Sequence, residues 1–230
     1  NGEIIAPGEF LPAAERYNLM PLIDRWVVRH AFQWFAVHGG QGRRIGMCSI
    51  NVSGASLCDE NFCDYVLKQF QELRVPGEKI CFEITETMAI QNLQKTLEFM
   101  SRMKALGCRF SLDDFGAGFS SYGHLRTLPV DFVKIDGQFV KQMANDPIDF
   151  AMVKSINELG HLMKRQTIAE FVEDDSTIEK LKSLGVDYAQ GYGVERPERL
   201  DSQLAVDKQS VDKLAADKQA SNSPGRKKTG

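Results

Sequence analysis

The 230-residue chain contains no apolar run near the ~20 residues that a membrane-spanning helix needs, and no charged segment followed by an apolar stretch opens it as a secretion signal would. Membrane-spanning and secreted readings are set aside, and a cytoplasmic setting is expected. An excess of positive charge is also missing. The 28 Lys and Arg face 31 Asp and Glu, for a formal net charge of −3, which removes the electrostatic footprint of a general nucleic-acid binder. No DNA partner is expected. Histidine is scarce, and the five cysteines, Cys48, Cys58, Cys63, Cys81 and Cys108, are odd in number and mostly lie in apolar runs. They read as reduced core residues rather than a disulfide framework. Cys58 and Cys63 make no zinc set, because no second pair or nearby histidine completes a tetrahedron.

What is present is the composition of a folded globular chain, 43% hydrophobic and 26% charged, at a length that suits one α/β domain with or without a tail. Short apolar runs predict strands over 44–52, 79–85, 108–113, 132–136, 167–172 and 187–191. Each is rich in Ile, Val, Phe and Cys, as strands buried on both faces are. Amphipathic spacing predicts helices over 22–37, 62–73, 93–106, 148–163 and 177–184. Gly39-Gly40, Gly107 and Gly185 mark helix-to-strand joints, where a left-handed residue closes the helix. Such alternation means parallel strands with right-handed crossovers, either an open sheet or a closed barrel. After about Asp201 the texture changes. Residues 201–230 have no aromatic, Ile or Cys, and the pairs Asp207-Lys208, Asp212-Lys213 and Asp217-Lys218 recur before a Ser/Pro/Gly/Lys end. Residues 1–200 are therefore read as the domain and 201–230 as a low-complexity tail, frayed helix followed by disorder.

Most of the unusual chemistry sits where the predicted strands end: Asn51, Glu83 and Glu86, Asp113 and Asp114, Lys134 and Asp136, Glu170 and Glu173, and Gln190. In α/β barrels that rim carries the active site. A charge buried there costs several kcal/mol unless it is paired or bound to a metal, so its repetition at successive strands asks for a purpose. Adjacent carboxylates at Asp113-Asp114 repel each other and suggest Mg²⁺ or Mn²⁺, which prefer oxygen ligands. Successive strand residues point to opposite faces, so a turn beginning at Phe115 is expected to bring both to one site. Gly116 and Gly118 supply either a loop that closes over a phosphate or only a tight turn. Asp-Phe-Gly also occurs in protein kinases, but no glycine-rich nucleotide loop and no His-Arg-Asp catalytic loop accompany it.

Phe10-Leu11-Pro12, Asn51-Val52-Ser53, Glu83-Ile84-Thr85-Glu86, Asp113-Asp114-Phe115-Gly116, Lys134-Ile135-Asp136, Ala169-Glu170-Phe171-Val172-Glu173 and Gln190-Gly191-Tyr192 resemble, in order and spacing, the signatures of the EAL-domain phosphodiesterases that hydrolyse cyclic di-GMP. The resemblance covers roughly residues 1–200. It implies an α/β fold, a TIM-like (β/α)8 barrel of the EAL type, here incomplete at the N-terminus, whose altered first strand runs against the others. It implies that Asn51, Glu83 and Asp113 hold one divalent ion and Asp113, Asp114 and Glu170 a second, Mg²⁺ or Mn²⁺ in each. Lys134, with Glu170 beside it, then serves catalysis by orienting the attacking water or helping to deprotonate it. Glu86 anchors the 114–121 loop, which couples the metals to dimer contacts, and Glu173, Gln190 and Asp136 support the substrate or the water network. The implied activity is hydrolysis of cyclic di-GMP to linear pGpG in the bacterial cytoplasm, by a homodimer, with a sensor or cyclase domain upstream in many relatives.

Each residue also has a plain structural reading. Asn51 serves equally as a turn cap. Glu83 and Glu86, three apart, face opposite ways in a strand, which makes Glu86 the better candidate for a structural hydrogen bond. Lys134 reads as a buried lysine paired with a carboxylate, a geometry that catalysis also needs. The family's Glu-Ala-Leu triplet is missing, and Asn1-Gly2-Glu3-Ile4-Ile5-Ala6-Pro7 looks like the segment that follows it. The chain is thus read as cut rather than mutated, with little or no hydrolysis expected of it without the upstream glutamate. Phe171 stands where the family more often has glycine. The alternative functions are a receptor that binds cyclic di-GMP without cleaving it, and a regulatory scaffold. Such receptors typically lose several acidic ligands, whereas every visible one is present here.

Overall fold

Alternating apolar residues drive six short strands into one sheet whose outward face packs under helices. The computed structural model describes residues 5–38, 46–117 and 126–198. Residues through Val194 form one unit, and 195–198, which carry no regular structure, belong to a second that continues to Gly230. The 201–230 tail, loop positions 118–121 with Gly118, the Gly39-Gly40 pair and the start of the first predicted strand lie outside the described residues.

Helices α1 (Pro7–Arg16) and α2 (Met20–His38) precede β1 (Cys48–Asn51), α3 (Gly54–Cys58) and α4 (Phe62–Leu73). Then come β2 (Ile80–Thr85), α5 (Glu86–Gln91), α6 (Leu93–Lys104), β3 (Arg109–Phe115), β4 (Phe132–Ile135) and α7 (Gly137–Val140). The sheet is completed by α8 (Pro147–Leu162), β5 (Gln166–Ala169), α9 (Asp175–Leu184) and β6 (Tyr188–Ala189). All pairings are parallel and the strand order is the chain order, β1 to β6. A doubly wound sheet reverses its order at a switch point; a sequential one curls toward a (β/α)8 barrel. That resolves the choice between open sheet and barrel in favour of a partial barrel. Among the described residues no strand runs against the others, and no helix is long and apolar enough to cross a membrane.

Every predicted strand and long helix is found; most strands are shorter than predicted, whereas β3 runs on to Phe115, past its predicted end at 113. The last is two residues long because pairing near the rim becomes irregular: Gln190 N–H donates to the Ala169 carbonyl (2.8 Å) and Val172 N–H to the Gln190 carbonyl (3.1 Å) beyond the regular ladder. The short helices α3, α5 and α7 span too few residues to show a period, and α1 carries Pro12 in its interior. Gly107 and Gly185 adopt φ of +89° and +73°, as their joints require.

Alternation along the strands separates two layers. Ile50, Ile80, Phe82, Ile84, Phe110, Leu112, Val133, Ile135 and Ala169 are buried in one apolar core shared with Val28 and Phe32 of α2, Val66 and Phe70 of α4, Phe99 and Met103 of α6 and Val153 of α8. The intervening residues, Glu83, Asp113 and Lys134 among them, point into the barrel. Cys81 and Cys108 are buried and Cys58 is exposed, and all five thiols are free. Burial pushes the Cys48 thiol up to about 11, with Glu83 adding to it, and the Cys108 thiol up to about 12. Such thiols are inert at neutral pH.

Candidate active site

The strand-end residues converge on one ammonium group. Lys134, on β4, places Nζ 3.0 Å from a Glu83 carboxylate oxygen on β2, 3.0 Å from Asp113 on β3 and 2.7 Å from Glu170 just past β5. All four side chains are buried. Burial works against the Lys134 charge, but the three carboxylates outweigh it and hold the ammonium above the usual lysine range. Lys134 therefore donates hydrogen bonds here rather than accepting a proton. Burial pushes the Glu170 carboxyl up to about 7, with Lys134 pulling it down and Asp113 and Asp114 pushing it further up.

Asp114 reaches the same site by a route that differs from the sequence expectation. The turn at Phe115, closed by Ala117 N–H donating to the Asp114 carbonyl at 3.3 Å, is not what brings the two side chains together, and β3 continues through Phe115. Instead the register shifts between Leu112 and Phe115, so Asp113 and Asp114 together oppose Lys134 in a β-bulge. Asp114 takes a left-handed φ of +55°, and its N–H donates to its neighbour's carboxylate, 3.0 Å from Asp113 Oδ1. Bulges of this kind re-aim a side chain and are frequent at barrel rims. Carboxylate oxygens of Asp113, Asp114 and Glu170 consequently lie within 4.8 Å of one another. Asp114 is raised by burial first, then by Asp113 and Asp136, with Lys134 opposing.

Three hard oxygen donors from separate residues, converging at that distance with like charge, form a set that fits a divalent cation such as Mg²⁺ or Mn²⁺. Glu83 reaches the cluster through Lys134. Asn51 is the register partner of Glu83 at the neighbouring strand end and is exposed toward the rim. The turn after it is capped by Ser53, whose Oγ accepts from Ser56 N–H at 3.2 Å. Asp24 of α2 locks that turn, accepting from Ser53 N–H (2.8 Å) and from the Ser56 hydroxyl (2.6 Å). Nothing in the sequence pattern singled out Asp24, since its partners lie about thirty residues away.

Glu86 lies just past the strand predicted over 79–85. β2 ends at Thr85, so Glu86 opens α5 and is buried beside the rim; the second half of the 114–121 loop it is expected to anchor lies outside the described residues. Asp136 caps α7, accepting from Gln138 N–H at 2.7 Å. Glu173 and Gln190 are exposed and join Glu170 around a cavity of about 300 Å³ that Phe171, Lys141 and Tyr192 also line. Gly191 closes this wall, because a Cβ there would collide with the Val172 backbone.

The family profile described as the EAL domain matches residues 1–197. This chain belongs to the EAL domain family. It is 49% identical to cyclic di-GMP phosphodiesterase PdeB of Shewanella oneidensis over 201 residues, which is 87% of this chain and 23% of PdeB. It is 34% identical to cyclic di-GMP phosphodiesterase PdeF of Escherichia coli, over 87% of this chain and 27% of PdeF. The EAL domain thus spans about a quarter of the length of these curated relatives. Among solved structures it superposes on the phosphodiesterase PaMucR in complex with c-di-GMP with a TM-score of 0.83 at 30% identity, covering 88% of this chain and 82% of that one. The FimX EAL domain from Pseudomonas aeruginosa bound to c-di-GMP gives a TM-score of 0.78 at 29% identity, covering 86% and 78%.

Proposed function

We propose that this EAL domain, in a protein that also supplies the family's Glu-Ala-Leu glutamate, hydrolyses cyclic di-GMP to linear pGpG, as a homodimer in the bacterial cytoplasm. The observation that carries the reading is the bulge that turns two adjacent aspartates and Glu170 onto one site around Lys134. The names of the similar proteins PdeB and PdeF supply the substrate.

In this reading Asn51, Glu83 and Asp113 hold one divalent ion and Asp113, Asp114 and Glu170 another. Bound there, Mg²⁺ or Mn²⁺ supplies the acidity that makes a water nucleophilic at neutral pH and offsets charge on the phosphoryl oxygens. The chain's own groups do the rest. Lys134 donates toward the attacking oxygen and keeps it in line, while Glu83, Asp113 and Glu170 fix its ammonium through the ion pairs already described. One P–O bond forms to the water oxygen, one P–O bond to a ribose oxygen breaks, and the water's proton ends on the departing hydroxyl. Glu86 braces the rim beside Asp114, Asp136 holds α7 in place, and Glu173 and Gln190 meet the substrate at the mouth.

The test is product analysis of cyclic di-GMP incubated, in Mg²⁺, in Mn²⁺ and in chelator, with the protein carrying the family's Glu-Ala-Leu segment ahead of Asn1. Linear pGpG in either metal and intact ligand in chelator is the expected result. Tight binding with the ligand intact under all three conditions would contradict it and identify a receptor.

A further inference from the structure

Asp24 is a carboxylate on the core-facing side of α2, in line with Val28, Phe32 and Phe35 and only 5% exposed. A buried carboxylate is costly unless it is paired or hydrogen-bonded. Among the described residues no cation pairs with it, and Arg25, its neighbour on the helix, is turned to Asp59 at 2.7 Å. Asp24 Oδ2 instead accepts two hydrogen bonds from one place, from Ser53 N–H at 2.8 Å and from the Ser56 hydroxyl at 2.6 Å. These are the N-cap and the third residue of α3. A five-residue helix cannot hold itself in water, so its geometry is imposed from outside. Asp24 fixes its start, and Arg25 fixes its end through Asp59, the C-cap.

The clamped turn lies directly past Asn51. β1 ends at Asn51, whose register partner is Glu83, and Val52 N–H still donates to the Glu83 carbonyl at 2.9 Å. At Ser53 the chain leaves the sheet. The backbone that carries Asn51 is thus held by the β2 ladder on one side and by Asp24 on the other. We infer that Asp24 is a positioning residue for the ion assigned to Asn51, Glu83 and Asp113, because its carboxylate pins the turn that holds Asn51 at the rim. The inference rests on the function proposed above and adds to it a residue that touches no ion. A charged acceptor grips its donors more firmly than a neutral one, and groups that orient a ligand from behind set metal affinity. The ion assigned to Asp113, Asp114 and Glu170 takes no side chain from β1, so Asp24 acts on one ion and not on the other.

That selectivity separates positioning from general support of the fold. Mn²⁺ binding is titrated by electron paramagnetic resonance, without substrate, on the protein carrying the Glu-Ala-Leu segment ahead of Asn1, and each variant is also melted. Asp24→Ala removes the acceptor of both bonds. It is expected to weaken one of two Mn²⁺ sites by about tenfold or more and to leave the other within about twofold of wild type. Ser56→Ala deletes one bond and leaves the carboxylate held by Ser53, so the result does not hang on the folding of Asp24→Ala. It is expected to weaken the same site by about two- to fivefold. Two wild-type sites that keep their affinity in Ser56→Ala and in folded Asp24→Ala overturn the positioning role and leave the proposed function intact, as does an equal weakening of both sites. A wild-type protein that binds no Mn²⁺ overturns the metals of the proposed function and the positioning role with them.

Discussion

Phe82 and Glu83 are neighbours on β2 and face opposite sides of it. Phe82 looks outward, its ring 5.3 Å from Phe99 and 5.8 Å from Phe110 between centroids, in a layer of the sheet that is apolar throughout. Glu83 looks inward to Lys134. The same contrast repeats at Leu112 and Asp113, at Val133 and Lys134, and at Ala169 and Glu170. The outward layer stabilises the fold by removing apolar area from water, roughly 25 cal/mol per Å². The inward layer does not: desolvating ions costs about as much as their pairing returns, and the four carboxylates of Glu83, Asp113, Asp114 and Glu170 outnumber the ammonium among them. One strand register therefore divides the molecule into a face that holds it together and a face that holds charge for use.

Removing Lys134 strikes hardest at that division, because among the described residues it is the cation that pairs with three of the inward carboxylates. Lys134→Met is expected to lower cyclic di-GMP hydrolysis by about 10²–10⁴-fold and to destabilise the metal-free protein by about 3–5 kcal/mol, seen in steady-state rates and urea melts. Phe82→Ala breaks the outward face alone, with an expected loss of about 3–5 kcal/mol; hydrolysis per folded molecule, corrected for the folded fraction by circular dichroism, should remain near wild type. Asp114→Asn sharpens the comparison. It relieves repulsion with Asp113 and Asp136, so metal-free Tm should rise by up to about 4 °C while hydrolysis falls at least about tenfold. The smallest effect lies far from the site, at Asp187. Burial would raise its pKa, but Thr167 N–H, His161 and the Thr167 hydroxyl outweigh burial and lower it. A depressed folded pKa contributes stability that is present above the ordinary value of 3.8 and lost as pH falls through the folded value. Asp187→Asn should therefore flatten the acid limb of a pH-melt profile below about pH 4 and leave hydrolysis at pH 8 unchanged.

How far the sequence reaches follows the same division. The outward layer announces itself, because Val, Ile and Phe at alternate positions carry the strand signal residue by residue. The inward layer is legible only as chemistry: charges at strand ends are visible, their convergence is not. Lys134 with Glu83, Asp113 and Glu170 pairs residues 21 to 51 positions apart, which no local pattern encodes. The bulge at Asp113-Asp114 was missed because its extra residue is counted only against β4, and a turn at Phe115 was the simplest local alternative. Glu86 falls past the strand as predicted, but that it opens a helix was not visible, because α5 spans too few residues to show a period. Asp24 left no signal, since an aspartate on an amphipathic helix is ordinary until its burial is known. Phe171 stands out in the sequence only as a departure from the family's more usual glycine; its left-handed backbone and its packing against Gly137 belong to three dimensions.

The central claim is that the inward carboxylates exist to hold cations, and manganese binding read by electron paramagnetic resonance tests it without depending on turnover. Titration of the wild-type protein should show two Mn²⁺ sites, both lost or weakened at least about tenfold in Asp113→Asn, the residue assigned to both ions. A wild-type protein that leaves millimolar Mn²⁺ free in solution, or an Asp113→Asn variant that binds as much as wild type, would contradict it.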